Sequence, residues 1–334
     1  MTQGIYTLAN DVVYDQLVAL LNSIAVNVGA EFPVRVVAFD ERLDKVRSEV
    51  EKRKNVELVE DPSLFVPWEE FSGEVWQTHP YALKMWREKG IEGVNRLACN
   101  RRYFAFDERS DFDQFIYFDA DVLVLNSLDF MFEKLGDYDF VIYDFQYKDP
   151  GHIFNLDSPR LFEVFPEEKV RSEIFCSGCF GAKKGIFPPE KRAWLIEQLK
   201  QNEAEVLYLN APNQSVLNYM RMRGEIPLCN LSFTLPQEEV TGCAVTSTHF
   251  EQRDNLLYDK EARVTFLHYI GVSSKAFTRL CQGENLEVAY RDIFLHYRYL
   301  HEPQNRPQFT GKPQPINPPP SFQTKVLKKL GLKK

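Results

Sequence analysis

The feature that most constrains the fold is the alternation of strand and helix patterns at the start of the chain. Strand-forming runs at residues 5–9, 33–39 and 56–59 are separated by helical patterns at 14–28 and 43–53. Strands that alternate with helices at this spacing favour parallel strands in one sheet, with helices on both faces. Ligands of such sheets bind at the carboxyl ends of the strands, so we expect functional residues at that edge.

The length and composition are those of a folded protein with a sizeable core. The chain has 334 residues, of which 44% are hydrophobic, enough for one large domain or two ordinary ones. We predict a single α/β domain over residues 1–300. Residues 301–320 contain seven prolines and predict a proline-rich linker. Residues 61–88 hold three tryptophans without a clear period and are predicted to be irregular.

Charge and the chain ends bear on partners and location. The net charge of −8 disfavours nucleic acid as a partner, because an acidic body repels phosphate backbones. Residues 321–334 interleave five lysines with apolar residues, which fits either a solvated tail or peripheral attachment to an anionic membrane. The N-terminal residues lack a signal-peptide pattern, so a cytoplasmic location is expected, with attachment at the inner face of a membrane as its variant.

Two closely spaced aspartates interrupt an apolar stretch. The strand pattern at 114–118 ends in Asp119-Ala120-Asp121, and apolar residues resume at 122–125. Two carboxylates in this setting are costly unless a counter-charge is present or the turn is exposed to water. A divalent cation bound by oxygen ligands, Mg²⁺ or Mn²⁺, would neutralise both carboxylates.

Residues 116–128, which contain this pair, closely resemble the DxD segment of nucleotide-sugar-dependent glycosyltransferases of the GT-A fold. The resemblance is strongest to the retaining family 8, which contains glycogenin and bacterial lipo-oligosaccharide galactosyltransferases. Residues 5–11 resemble the strand and turn that hold base and ribose in that family, and residues 266–275 its late segment with the metal-binding histidine. Matching blocks follow in order from about residue 4 to residue 280. The resemblance implies a GT-A-like, Rossmann-type mixed sheet flanked by helices in a single large domain.

The resemblance also implies roles for individual residues. The metal, Mn²⁺ or Mg²⁺, would be held by Asp119, Asp121 and His268. The donor, a nucleotide-diphosphate sugar of the UDP type, would be bound by Thr7, Leu8, Asn10, Asp11, Arg102, Ala120, Ser177, Gly178, Gly271 and Lys275. The positions that would act on the donor sugar and the acceptor are Asp144, Gln214 and Asn213. Independently of the resemblance, Gly271 permits close backbone approach and Lys275 offers a compact positive charge for phosphate.

The chain departs from the family pattern at two positions where donor sugar and acceptor meet. Cys176 stands where the family commonly has Asn, and Asn213 where it commonly has Asp. Gln214 still offers a donor and an acceptor to sugar hydroxyls. These departures leave the identity of the sugar open.

The predicted function is metal-dependent transfer of a sugar from a nucleotide-diphosphate sugar to a hydroxyl of a glycan, lipid or protein, with retention of anomeric configuration. Two alternatives remain: a sugar-nucleotidyltransferase, disfavoured because residues 9–13 lack a glycine-rich basic loop, and a sugar-nucleotide-binding protein without turnover. The dinucleotide-binding and P-loop glycine motifs do not occur, which argues against oxidoreductases and P-loop kinases.

Overall fold

Twelve strands are present in a computed structural model, which describes residues 1–317. They are β1 (Gln3–Ala9), β2 (Val34–Ala38), β3 (Val56–Val59), β4 (Gln114–Asp119), β5 (Val122–Val124), β6 (Phe140–Ile142), β7 (Cys179–Lys183), β8 (Leu228–Asn230), β9 (Glu251–Arg253), β10 (Leu256–Asp259), β11 (Ala262–Arg263) and β12 (Phe266–His268). Seven of them form the central sheet in the order β3-β2-β1-β4-β7-β6-β8.

The helices of the described residues are α1 (Tyr14–Asn27), α2 (Asp44–Val50), α3 (Pro62–Gln77), α4 (Ala82–Glu88), α5 (Asp129–Asp137), α6 (Leu161–Val164), α7 (Glu167–Glu173), α8 (Pro189–Lys200), α9 (Pro212–Arg223), α10 (Leu231–Thr234), α11 (Ser274–Cys281) and α12 (Arg291–Arg298). Short 3₁₀ segments connect several of these elements, and the longest is Leu97–Phe106. The expected alternation at the start of the chain is confirmed: β1, α1, β2, α2 and β3 follow one another in that order.

The central sheet is mixed, as the predicted fold class requires. Strands β1, β2, β3 and β4 run parallel to one another, whereas β7 lies antiparallel between β4 and β6. Strand β4 is buried along its length except at Asp119, which is why its sequence is an almost unbroken apolar run. A second, smaller core lies where β5 and β12 pair antiparallel and α11 and α12 pack beside them.

The prediction of irregular structure for residues 61–88 is wrong. Helix α3 begins with Asp61 accepting a hydrogen bond from the Ser63 amide (2.9 Å) and with Pro62 in the first turn. Helix α4 follows, and the indoles of Trp68, Trp76 and Trp86 are all buried in the main core. Pro67 lies inside α3 and obscures its period in the sequence.

The C-terminal described residues lie against the domain. The Gln314 amide donates to the Asn285 carbonyl, and the Gln314 carbonyl accepts from the Glu287 amide, both at 2.7 Å. Phe309 and Ile316 pack on the smaller core. The basic segment 321–334, and with it the predicted membrane attachment, lies outside the described residues. Between residues 1 and 317, every helix is too short or too polar to cross a membrane.

Candidate functional site

Strand direction brings the predicted site residues to one edge of the sheet. Strands β1 and β4 are parallel and in register, so that Leu8 pairs with Asp119 at their carboxyl ends. Strand β7 runs the opposite way, which places Gly178, immediately before it, at the same edge. Strand β6 runs antiparallel to β7 and delivers Asp144 there too.

Asp119, Asp121 and His268 form a cluster that could hold a metal ion. One ligand atom from each residue lies within 4.8 Å of the other two. Nε2 of His268 is 3.4 Å from Oδ1 of Asp121. The histidine arrives from a distant part of the chain because β12 pairs antiparallel with β5, with His268 opposite Val122. Two carboxylate oxygens and an imidazole nitrogen form a donor set that suits Mn²⁺ or Mg²⁺.

The carboxylate of Asp119 is held in place by a hydrogen bond and an ion pair on one oxygen. The Tyr117 hydroxyl donates to Oδ1 at 2.8 Å, and Nη1 of Arg102 lies 3.0 Å from the same atom. Arg102 is buried, and its guanidinium stacks over the Tyr117 ring at 4.7 Å. Burial lowers the pKa of Arg102, but the Asp119 carboxylate more than compensates and holds it above its usual value. Oδ2 of Asp119 has no hydrogen-bond donor among residues 1–317, so it is available to a cation.

His268 is fixed by its backbone and by contact with the start of β7. Its amide donates to the Cys243 carbonyl at 2.8 Å, and its Nδ1 lies 3.9 Å from Sγ of Cys176. Burial lowers the pKa of His268, but the Asp121 carboxylate and the Cys176 thiol more than compensate and hold it well above its usual range. Imidazole binds metals in its neutral form, so cation binding here would release a proton.

A cavity of about 340 Å³ borders the cluster on the side of β1. Of the residues predicted to bind the donor, the cavity is lined by Leu8, Asn10, Arg102 and Ala120. Asp119 and Asp121 lie in its wall. The cavity is therefore a concave, partly polar space beside the candidate metal cluster, of the kind that binds small molecules.

Two of the predicted donor-binding side chains, Thr7 and Asp11, lie outside this lining. Thr7 is fully buried within β1, and its hydroxyl has no partner among the described residues. The carboxylate of Asp11 accepts the amides of Lys45 and Val46 at 3.0 Å each, which satisfies free donors at the start of α2. The Asp11 carboxylate is therefore used in this structure to cap α2.

The late segment reaches the same cavity through residues other than those predicted. Val272 and Ser274 line it, whereas Lys275 is exposed and lies outside the lining. Gly271 has a φ of +81°, and a Cβ added there would meet no atom within 4 Å. The backbone conformation, which L residues rarely adopt, explains the glycine here.

A second cavity, of about 630 Å³, lies on the other side of the cluster. His268 is in its wall together with Asp144 and Cys176. Burial raises the pKa of Asp144 to about 6, although the backbone amides of Gln146 and Cys176 donate to its carboxylate and lower the pKa. The donor from Gln146 is 2.5 Å from Oδ1. A buried carboxyl group in a cavity, with its pKa near neutrality, is a candidate for contact with a reacting substrate.

Ser177, Asn213 and Gln214 form a hydrogen-bonded group behind the cluster. Oε1 of Gln214 accepts the Ser177 amide at 3.0 Å, and Nδ2 of Asn213 donates to the Ser177 hydroxyl at 3.3 Å. Asn213 is buried and lines neither of the two cavities, and its Oδ1 has no hydrogen-bond partner among the described residues. The Ser177 carbonyl accepts from Nη1 of Arg102 at 3.0 Å, so this group is continuous with the metal cluster.

The structure adds residues that the sequence analysis did not single out. The first cavity is also lined by Val12, Val13, Gln16, Phe39, Arg42, Arg96 and Cys99. Arg42 is paired with Asp40. Arg96 is exposed, has no carboxylate partner among residues 1–317 and is held at a φ of +59°. An isolated arginine in a loop gives no periodic signal, so the sequence pattern could not have identified it.

Comparison with known proteins gives the fold. No known family model matches the chain, and no curated protein matches its sequence. The apo structure of the bifunctional glycosyltransferase WbbM is similar, with a TM-score of 0.51 and 14% identity over 92% of this chain. The chain spans 52% of WbbM, about half its length. An active-site mutant of LgtC is similar with a TM-score of 0.50 and 14% identity, covering 84% of this chain and 95% of that one.

Another structure of LgtC, a galactosyltransferase in complex with donor and acceptor sugar analogues, gives a TM-score of 0.49 at 15% identity. It covers 83% of this chain and 94% of LgtC. The first two comparisons show that the chain has the fold of glycosyltransferases. This agrees with the GT-A-like mixed sheet expected from the DxD segment.

Proposed function

We propose that this protein transfers a sugar from a nucleotide-diphosphate sugar, of the UDP type, to a hydroxyl acceptor, that it depends on Mn²⁺ or Mg²⁺, and that it retains the anomeric configuration. The observation that carries the proposal is the position of Asp119, Asp121 and His268. Their ligand atoms converge within 4.8 Å, with a nucleotide-sized cavity on one side and a larger cavity on the other. Retention rests on the resemblance to family 8.

A divalent cation bound to these three residues would neutralise charge on the departing diphosphate. The chain supplies further positive charge around the first cavity. Arg96 lines it without a carboxylate partner among the described residues, and Lys275 lies on the first turn of α11 next to the lining residue Ser274. Charge arranged before the reaction begins stabilises a leaving group without reorganisation.

Arg102 and Tyr117 act on the cluster through Asp119. Tyr117 donates a hydrogen bond to one oxygen of that carboxylate and Arg102 forms an ion pair with the same oxygen, which fixes the orientation of the other oxygen. A ligand held in one orientation loses less entropy when it binds a cation. Arg102 is thus a positioning residue that also lines the donor cavity.

The second cavity would receive the acceptor hydroxyl and the donor sugar. Asp144 faces this space and can accept a hydrogen bond from a sugar hydroxyl when ionised. Gln214 and Asn213 hold Ser177 at the start of β7, next to the cluster. With retention, the acceptor proton would pass to the departing phosphate oxygen, so no separate general base is required.

The test is product analysis with a panel of UDP-glucose, UDP-galactose, UDP-N-acetylglucosamine and GDP-mannose, with Mn²⁺ or with EDTA. We expect Mn²⁺-dependent release of nucleoside diphosphate from at least one donor, about a hundredfold slower in Asp121→Asn. The matched control is Asp254→Asn, an exposed aspartate in the turn between β9 and β10. Release of pyrophosphate would indicate a nucleotidyltransferase. Binding of the nucleotide sugar with no product released would indicate a binding protein that does not turn it over.

A further inference from the structure

An aromatic pair, of which one ring is exposed and the other half-buried, lies beside the second cavity and has no role in the function described so far. Phe233, on α10, is 54% exposed. Its ring packs against that of Tyr147, with centroids 4.7 Å apart and planes inclined at 38°. The ammonium of Lys148 lies 5.9 Å from the centroid of the Tyr147 ring, so Phe233 provides the open part of the pair. An exposed aromatic side chain beside a cavity is typical of a binding surface.

The pair is continuous with the cavity wall. Gln146 and Lys148, the neighbours of Tyr147 in the chain, both line the cavity. Phe145 lines it too, and its ring centroid is 6.3 Å from that of Tyr147. An aromatic surface therefore extends from the cavity wall out to Phe233.

One residue ties this surface to the reacting end of the cavity. Nδ2 of Asn230 donates to the Asp144 carbonyl at 3.1 Å. Oδ1 of Asn230 accepts the Ser232 amide at 3.0 Å and so caps the helix that presents Phe233. The position of Phe233 relative to Asp144 is thus set by the Asn230 side chain together with the pairing of β6 and β8.

The lining of the cavity is more apolar than polar, but it includes several polar and titratable groups. Nε2 of His249 lies 3.3 Å from Asp259, and Nε2 of His152 lies 3.1 Å from Asp149. All four of these residues line the cavity. Such groups can donate to or accept from the hydroxyls of a sugar.

We propose that Phe233 and Tyr147 bind a sugar ring of the acceptor, and that the acceptor is therefore a saccharide. This rests on the proposed function, which it narrows from any hydroxyl acceptor to a glycan. A pyranose ring has an apolar C–H face and a rim of hydroxyls. The face packs on Phe233, and the hydroxyls of that ring and the next point to the polar lining near Asp144. Planar aromatic rings provide such contact area at low cost in conformational entropy.

The experiment is saturation-transfer NMR of the full chain with UDP and Mg²⁺, using lactose, maltose and cellobiose as probes. We expect at least one disaccharide to receive saturation, strongest at the C–H protons of one ring face. In Phe233→Ala the apparent affinity should fall about five- to tenfold, as the loss of a stacking contact predicts. Phe233→Trp should keep binding. Phe162→Ala is the control, because Phe162 is 48% exposed and lies outside both cavities.

Equal binding by Phe233→Ala and wild type, or no binding of any of the three saccharides, would overturn the proposal. So would saturation transfer to the acyl chains of dihexanoyl phosphatidylglycerol in place of a saccharide, which would indicate a lipid acceptor. Thermal stabilisation by UDP with Mn²⁺ is measured in the same variants, because it reports on donor binding independently of acceptor binding. Its absence in wild type would count against the proposed function, whereas its persistence in Phe233→Ala leaves only the acceptor assignment under test.

Discussion

Gly178 leaves the space that the His268 ring occupies. A Cβ added at Gly178 would lie 3.0 Å from both ring nitrogens and nearer still to Cε1. This is closer than side-chain carbons approach their neighbours, so the ring could not stay where it faces Asp121. The glycine before β7 therefore makes room for the His268 ring beside Asp121, across 90 residues of sequence.

Gly178→Ala should weaken metal binding without unfolding the protein. The methyl group displaces the imidazole from the cluster, and the loss of one of three ligands should cut Mn²⁺ affinity by about tenfold or more. Titration of Mn²⁺ followed by electron paramagnetic resonance measures this directly. The control is Gly73→Ala, in α3, where an added Cβ meets no atom within 4 Å. Unchanged Mn²⁺ affinity in Gly178→Ala would mean that His268 is not a ligand.

The early part of the fold could be predicted from local patterns, because β1 to β3 are regular and their connecting helices are short. The later strands could not. Strands β6 and β8 have three residues each, and their pairing with one another joins residues almost 90 positions apart. The antiparallel insertion of β7 likewise depends on packing between distant segments.

In the candidate site, too, some residues could be predicted from local sequence and others could not. Asp119 and Asp121 were identifiable because two carboxylates between apolar runs need a counter-charge. Asp11 illustrates the limit: a carboxylate after a strand looks the same in sequence whether it binds a ligand or, as here, accepts the amides that open a helix. Side-chain direction decides between the two, and it is set by the tertiary structure.

In the absence of a metal ion, Arg102 supplies the positive charge next to the Asp119 carboxylate. In Arg102→Met the Asp119 carboxylate loses its ion pair beside Asp121, and in EDTA the free energy of unfolding should fall by about 2–3 kcal/mol. Mn²⁺ should restore part of that loss, because a bound cation again supplies positive charge. Urea denaturation with and without Mn²⁺ measures both effects.

The control for this experiment is the adjacent arginine. Arg101→Met removes an ion pair with Glu69 (2.6 Å) that lies away from the cluster. The free energy of unfolding of Arg101→Met should fall less than that of Arg102→Met. Mn²⁺ should stabilise Arg101→Met no more than it stabilises the wild type. Equal rescue of both variants by Mn²⁺ would contradict the link between Arg102 and the metal.

Asp144 should make the stability depend on pH below neutrality. Its pKa is about 6 in the folded protein, against an ordinary value of 3.8. Between those values the native state binds more protons than the unfolded state, so this contribution to stability is full below about pH 4 and is lost as the pH rises through 6. Relative to Asp144→Asn, the wild type should lose up to about 3 kcal/mol across that window.

Urea denaturation in EDTA at a series of pH values measures the difference between wild type and Asp144→Asn, and the other carboxylates cancel from it. Asp254→Asn, which changes an exposed carboxylate, should show no comparable slope. A difference between wild type and Asp144→Asn that is constant from about pH 4 to about pH 7 would mean that Asp144 is not desolvated.

Arg96 should contribute to donor binding through its charge. It lines the first cavity and has no carboxylate partner among residues 1–317, so its guanidinium is available to a diphosphate. In Arg96→Ala we expect the Kd for UDP with Mn²⁺ to rise about five- to tenfold at low salt, and less at high salt, because ions screen exposed charges. Calorimetric titration at two salt concentrations gives both numbers. Arg87→Ala, an exposed arginine on α4 outside the cavity, controls for net charge. If it weakens UDP binding as much as Arg96→Ala, the effect is one of overall charge, and Arg96 has no direct contact with the donor.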